Sequence, residues 1–104
     1  MKQLRLLLVD DHEVVRVGLR TLLDDEPDMD VVGEAGTVAE AIRLCAYLKP
    51  DVTLMDVRLP DGSGIDACRV IRRNSDSQVL MLTSYADDEL VMDAIASGAA
   101  GYVL

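Results

Sequence analysis

The stretch LRLLLVDD at residues 4–11 joins an apolar run of strand length to two adjacent carboxylates. Such a short, continuous run is typical of a strand that is buried on both faces of a parallel sheet. Four more runs follow along the chain, namely DVVGEA at 30–35, DVTLM at 51–55, QVLMLT at 78–83 and GYVL at 101–104. The first run is therefore predicted to be one of five strands.

Amphipathic stretches separate these runs, and their apolar residues recur at helical spacing. Each set predicts one buried helix face: Val14, Val15, Gly18, Leu19, Leu22 and Leu23; Val38, Ala41, Ile42 and Cys45; Ile65, Cys68 and Ile71; and Leu90, Val91, Ala94 and Ile95. Alternating strands and helices with short connections favour an α/β fold with an open, doubly wound parallel sheet. In such sheets the functional crevice lies beyond the carboxyl ends of the strands.

Length and charge exclude several classes of protein. With 104 residues, the chain has the size of one domain. Its formal net charge of −9 disfavours direct DNA binding by this segment. No apolar run approaches the length of a membrane span, and the start MKQLRLLLVDD lacks a signal-peptide cleavage site, so a cytoplasmic protein is expected. Cys45 and Cys68 are predicted to be buried, reduced thiols.

Acidic and hydroxyl residues follow the predicted strands at their carboxyl ends. Asp10 and Asp11 end the first run, Asp56 follows the third, and Thr83 and Ser84 end the fourth. Two carboxylates about 4 Å apart repel by about 4 kcal/mol at an effective dielectric constant of 20, so the cluster implies a cation. An all-oxygen cluster that is open to water suits Mg²⁺. Asp56 is the candidate nucleophile for phosphoryl transfer.

The segment VRLPDGSG after Asp56 contains a proline and two glycines. These residues let the backbone bend close to the metal, where the carbonyl of Arg58 is predicted to be a further ligand. The predicted metal ligands are thus Asp10, Asp11, Asp56 and the Arg58 carbonyl.

The chain resembles the response-regulator receiver family of bacterial two-component systems along its whole length. The resemblance is carried by LLLVDDHEVVRVGL, LMDVRLPDGSGID, MLTSYADDE and GAAGYVL. The segments DDHEVVR, GEAGTVAEA and GAAGYVL are similar to the NarL/FixJ (LuxR-type) subfamily, and to its DevR/DosR-like regulators in particular.

The resemblance implies a flavodoxin-like sheet of order 2-1-3-4-5, in which Asp56 accepts a phosphoryl group from a sensor histidine kinase. It implies that Asp11 is the more direct Mg²⁺ ligand and that Asp10 acts through water. Thr83 corresponds to the switch hydroxyl and Tyr102 to the switch aromatic. In the subfamily a helix-turn-helix domain follows, so phosphorylation would control homodimerisation or other self-association, and DNA binding by that domain.

The family's phosphate-binding lysine and fifth helix would follow Leu104. Residues 1–104 are therefore expected to be a receiver domain that is incomplete at its C-terminus, with the output domain downstream. Without the lysine, the phosphoryl group loses a charge-assisted contact worth about 1.5–3 kcal/mol.

Alternatives remain for several residues and for the function. Thr83 could be an ordinary strand residue, Tyr102 could be a core residue, and His12 is expected to be exposed or hydrogen-bonded instead of ligating metal. A phosphorylation-independent interaction module is an alternative function. A metal-dependent phosphatase of small molecules would also use an aspartate nucleophile and Mg²⁺, although the chain shows no cap insertion for a substrate.

Overall fold

The computed structural model of the chain describes residues 3–82 and 88–103, along which strands and helices alternate. The strands are β1 (Leu4–Val9), β2 (Met29–Ala35), β3 (Val52–Asp56), β4 (Arg58–Leu59), β5 (Gly62–Ser63), β6 (Gln78–Leu82) and β7 (Gly101–Val103). The helices are α1 (Glu13–Asp24), α2 (Val38–Leu48), α3 (Gly64–Asn74) and α4 (Asp88–Ala96).

Five strands form one parallel sheet in the order β2-β1-β3-β6-β7. The strands β4 and β5 form a separate two-residue antiparallel hairpin. When this hairpin is left out of the numbering, the order is the predicted 2-1-3-4-5. The prediction of a doubly wound α/β fold is therefore confirmed, and each sheet strand lies within one residue of its predicted bounds at either end.

The main core lies between the sheet and the helices α2, α3 and α4. Alternate strand residues such as Leu7, Met55 and Met81 are fully buried there. The thiols of Cys45 and Cys68 lie in the same core and are free, which confirms the prediction of buried reduced cysteines. The predicted faces of α2 and α3 are also confirmed, because Ala41, Cys45, Ile65, Cys68 and Ile71 are buried.

The predicted buried face of α1 is wrong for most of its residues. Val14 is 84% exposed and Leu22 is 68% exposed, whereas Leu19 and Leu23 are half-buried. The reason is the layer arrangement: α1 packs on β2, while α2, α3 and α4 pack together on the opposite side. Beside α1 an apolar groove of about 300 Å³ remains, lined by Leu4, Leu6, Leu19, Leu23, Met29, Val52, Leu54, Leu80, Leu82 and Val103.

The fourth helix agrees with its prediction only in part. Ala94 is buried and Val91 is half-buried, but Ile95 is 57% exposed because it lies beside the face that α4 turns toward α3 and β7. Gly98 follows the helix with φ of 102°, a conformation that favours glycine at helix ends. Within the described residues, none of the helices is long and apolar enough to span a membrane.

Candidate functional site

The two strands that carry the predicted carboxylates are neighbours in the sheet. Asp10 directly follows β1, Asp56 is the last residue of β3, and the parallel register pairs Val9 with Met55. Asp10, Asp11 and Asp56 therefore meet at the carboxyl edge of the sheet. One oxygen from each of these carboxylates and a ring nitrogen of His12 all lie within 4.8 Å of one another. The structure thus brings together the three predicted carboxylates, and it adds an imidazole.

The environment of Asp56 disfavours its negative charge. Burial raises the pKa of the Asp56 carboxyl, and the nearby charge of Asp10 raises it further. Backbone N–H groups of Arg58 and Val57 partly offset these effects, and the charge of Asp11 again raises the pKa. A bound cation would relieve this repulsion, and carboxylate oxygens are the ligands that Mg²⁺ prefers. The residues present therefore fit the predicted magnesium site.

His12 lies at the start of α1 and contacts both acidic residues that precede it. Its backbone N–H donates to Oδ1 of Asp10 at 2.8 Å. Its Nδ1 lies 3.0 Å from Oδ1 of Asp10 and 3.0 Å from Oδ1 of Asp11. The hydrogen bond to Asp10, followed by the charges of Asp11 and Asp10, raises the pKa of His12. The side chain is 69% exposed, so the expectation of an exposed or hydrogen-bonded histidine is confirmed in both respects.

Arg16 fixes the acidic loop from one helical turn beyond His12. Its guanidinium donates to the backbone carbonyl of Asp10, and its Nε donates to Oε1 of Glu34 at 3.1 Å. Arg20 also donates to the Glu34 carboxylate but makes no hydrogen bond to the Asp10 carbonyl. The sequence pattern did not by itself indicate a role for Arg16; the available signal was an arginine one turn after a helix start.

Replacing Arg16 by glutamine is expected to weaken Mg²⁺ binding about tenfold. A hydrogen bond from a charged group is worth about 1.5–3 kcal/mol, and its loss frees the Asp10 loop to leave the arrangement in which the carboxylates converge. Isothermal titration with Mg²⁺ measures the change. Arg20→Gln is the control, because it loses contacts with Glu34, Val31 and Asp24 but leaves the hydrogen bond from Arg16 to the Asp10 carbonyl in place, so it should keep wild-type affinity. Equal weakening in both variants would contradict the role of Arg16.

The segment after Asp56 is tied to the neighbouring helix through a carboxylate. Asp61 lies in the turn of the β4–β5 hairpin, and its Oδ1 and Oδ2 accept from the backbone N–H groups of Val38 at 2.7 Å and Ala39 at 3.1 Å. It therefore caps the start of α2 from a different part of the chain. The sequence offered no spacing signal for this cap, since 23 residues separate Asp61 from Val38. Arg58 lies at the start of this hairpin, and its carbonyl as a metal ligand stays a prediction.

Asp61 is expected to make stability depend on acid pH. The N–H groups of Val38 and Ala39 lower the pKa of Asp61, so its contribution is present above the ordinary aspartate pKa of 3.8 and is lost as pH falls through the lowered folded-state value. The free-energy difference between wild type and Asp61→Ala, from urea unfolding, should therefore shrink below roughly pH 4. Thr37→Ala is the control, because the neutral hydroxyl of Thr37 caps the same helix by accepting from Glu40 N–H; its effect should not depend on pH.

Of the two predicted switch residues, Thr83 and Tyr102, only Tyr102 lies within the part of the chain that the structure describes. Thr83, and with it Ser84, lies outside the described residues. Tyr102 lies in β7 opposite Met81 of β6, is half-buried, and packs against the core. Its packing agrees with the core interpretation, and its role as a switch stays a prediction.

Comparison with known proteins identifies the family. The family model described as the response regulator receiver domain matches residues 6–104. The chain is 55% identical over 101 residues to the DNA-binding transcriptional activator DevR/DosR of Mycobacterium tuberculosis, covering 96% of this chain and 46% of that protein. It thus spans about half the length of the curated relatives it matches.

Two solved structures are informative neighbours. The receiver domain of the response regulator NarL from Mycobacterium tuberculosis has a TM-score of 0.96 and 31% identity, covering 100% of this chain and 85% of that one. A response regulator from Burkholderia pseudomallei with a phosphorylated aspartic acid, a calcium ion and citrate has a TM-score of 0.86 and 25% identity, covering 97% of this chain and 59% of that one. The chain belongs to the response regulator receiver family, among its NarL/LuxR-type members.

Proposed function

We propose that this receiver domain takes up a phosphoryl group on Asp56 from the phosphohistidine of a sensor histidine kinase. The observation that carries the proposal is the convergence of the oxygens of Asp10, Asp11 and Asp56 within 4.8 Å at the carboxyl edge of the sheet. The related response regulator from Burkholderia pseudomallei, with its phosphorylated aspartic acid and calcium ion, supports the same chemistry here. The relatives are named as transcriptional regulators, which favours a signalling role over a small-molecule phosphatase.

Asp10, Asp11 and Asp56 would hold Mg²⁺, with the Arg58 carbonyl as a further ligand. When bound, Mg²⁺ neutralises charge on the phosphoryl oxygens. The chain's own residues orient the acceptor: Asp56 is fixed at the end of β3, and Arg16 holds the Asp10 loop beside it.

The transfer forms one bond and breaks one. A carboxylate oxygen of Asp56 attacks the phosphorus of the phosphohistidine, and the bond between phosphorus and the imidazole nitrogen breaks. The electron pair of that bond leaves with the imidazole, and the product is an aspartyl phosphate. Burial and the charges of Asp10 and Asp11 raise the pKa of Asp56 in the metal-free site, so a bound cation would favour the ionised carboxylate that attacks.

The output is proposed to be a change in association. Phosphorylation would draw Thr83 toward the phosphoryl group and change the rotamer of Tyr102, which would favour homodimerisation or another form of self-association. Residues 1–104 would act in the cytoplasm as the receiver part of a transcriptional regulator, with DNA bound by a downstream helix-turn-helix domain. Sedimentation before and after phosphorylation tests the association directly.

Incubation with acetyl phosphate and Mg²⁺ tests the phosphoryl acceptance. Intact mass spectrometry should show one added phosphoryl group per chain, and chelation of Mg²⁺ by EDTA before the reaction should prevent the addition. No addition with Mg²⁺ present would contradict the proposal and favour the phosphorylation-independent interaction module. Multiple turnover on a generic phosphate ester would instead indicate an enzyme.

A further inference from the structure

A cavity of about 490 Å³ opens at the amino ends of the central strands, far from the carboxyl end of β3 where Asp56 lies. Its walls come from the last turn of α2 with the segment that follows it, and from residues 74–77 at the end of α3. Asp51 and Ser77, which directly precede β3 and β6, are among the lining residues. The volume falls in the range of about 300–1,000 Å³ that is typical of small-molecule sites.

Buried hydrogen bonds hold one wall of this cavity in place. Oγ1 of Thr53 in β3 lies 3.2 Å from Sγ of Cys45 and 2.9 Å from Oγ of Ser77, and all three side chains are buried. A guanidinium nitrogen of Arg72 also donates to the Ser77 carbonyl at 2.8 Å. Because a satisfied buried polar network is rigid, the cavity is formed before any ligand arrives.

Two helix ends make the electrostatic potential of the cavity negative. The helices α2 and α3 both end at the cavity, and the C-terminal end of a helix carries a partial negative charge. At α2 the N–H of Lys49 caps the Cys45 carbonyl. At α3, within the described part of the chain, no backbone N–H from beyond the helix donates to its last carbonyls. Acceptors therefore remain available at the end of α3.

The side chains that line the cavity add a net negative charge. They include the carboxylates of Asp51 and Asp76 and a single cation, the Lys49 ammonium. Asp51 accepts from Arg5 N–H at 2.8 Å, whereas exposed Asp76 forms no hydrogen bond or ion pair with any residue that the structure describes. The same cavity is also lined by the apolar side chains of Ala46 and Pro50, which offer contact to an alkyl chain.

We propose that this cavity binds a small organic cation of the alkylammonium or alkylguanidinium class. The charged group donates to the Asp76 carboxylate and to the free carbonyls at the end of α3, and the alkyl chain packs against Ala46 and Pro50. A bare metal ion fits less well. Among residues 3–82 and 88–103, the convergent group of metal ligands is the cluster of Asp10, Asp11, His12 and Asp56, which is separate from the cavity. The inference does not depend on the proposed function.

Titration with butylguanidinium, followed by the amide signals of ¹⁵N-labelled protein, tests the inference. Saturating Mg²⁺ occupies the acidic cluster, and about 0.15 M salt screens non-specific attraction to the negative chain. The largest shifts should fall on Lys49 and on residues 74–77. Butylurea, a neutral molecule of the same shape, should not produce them. Equal binding of butylurea, or largest shifts at Asp10, Asp11 and Asp56, would overturn the inference.

Two substitutions separate the charge of the cavity from its shape. Asp76→Asn should weaken butylguanidinium binding about fivefold, the effect of an exposed ion pair. Asp30→Asn is the matched control, because it removes the same charge from an exposed position outside the cavity and should bind like wild type. Ala46→Leu should abolish binding by filling the cavity from an exposed helix position.

Wild-type affinity in Ala46→Leu, or equal affinities in Asp76→Asn and Asp30→Asn, would show that the cation does not occupy the cavity. Phosphoryl uptake from acetyl phosphate should be the same in wild type and in all three variants, because none of the substituted residues belongs to the acidic cluster. Failure of butylguanidinium binding therefore leaves the proposed function intact.

Discussion

Asp56→Asn is expected to abolish phosphoryl uptake and, at the same time, to stabilise the metal-free protein. The amide has no carboxylate oxygen to attack phosphorus, so acetyl phosphate with Mg²⁺ should add no phosphoryl group. The stabilisation has an electrostatic cause. Burial and the charges of Asp10 and Asp11 raise the pKa of Asp56, which means that its ionised form costs folding free energy. An uncharged amide of the same shape removes that cost.

The stabilisation should depend on pH with a definite sign. Because the folded-state pKa of Asp56 is raised, the cost of its charge is fully present above that value and disappears as pH falls below the ordinary aspartate pKa of 3.8. The advantage of Asp56→Asn in urea unfolding without metal should therefore be largest near neutral pH and vanish in acid. Added Mg²⁺ should reduce this advantage, since an ion that binds the folded wild type stabilises it.

Asp51→Asn is the matched control for both effects. Asp51 immediately precedes β3 at the opposite edge of the sheet, where its carboxylate accepts from Arg5 N–H at 2.8 Å. This variant should accept a phosphoryl group like wild type and should gain no stability near neutral pH. Phosphorylation of Asp56→Asn, or its failure to exceed wild type in stability without metal, would contradict the role assigned to Asp56.

The location of the acidic site could be predicted because it depends on strand periodicity alone. Once LRLLLV and DVTLM are strands of one parallel sheet, the residues that follow them share an edge, and adjacency of the strands brings Asp10 beside Asp56. No side-chain packing has to be known for this step.

The contacts of the residues that support the site could not be predicted, because they depend on how the helices lie against the sheet and its loops. Asp61 caps α2 from 23 residues away, and Arg16 reaches the Asp10 carbonyl only because α1 lies along the sheet. The prediction of a buried face on α1 was wrong for most of its residues because burial, too, depends on tertiary packing. Helical periodicity identifies an apolar face, but how far that face is buried depends on what packs beside the helix, as the exposure of Val14 and Leu22 shows.

Gly64→Ala is expected to destabilise the protein by at least about 3 kcal/mol, the upper end of ordinary overpacking costs. Gly64 is the first residue of α3, and its N–H donates to the Val57 carbonyl at 2.7 Å. A Cβ at this position would lie 2.0 Å from the carbonyl oxygen of Asp56 and 2.9 Å from Cγ of Met55. The oxygen belongs to the backbone and cannot rotate away, so either α3 or the end of β3 must move. The movement should displace Asp56 and reduce both Mg²⁺ affinity and phosphoryl uptake.

Gly18→Ala is the matched control for Gly64→Ala. Gly18 lies within α1, and a Cβ built there meets no atom within 4 Å. Because alanine is favoured over glycine in a helix interior, Gly18→Ala should stabilise the protein by about 0.5–1 kcal/mol and leave phosphoryl uptake unchanged. The same glycine-to-alanine change should thus have opposite signs at the two positions in urea unfolding. If Gly64→Ala were as stable as wild type, then α3 would not approach the Asp56 carbonyl so closely, and the segment after Asp56 would lack the rigidity that positions the acceptor.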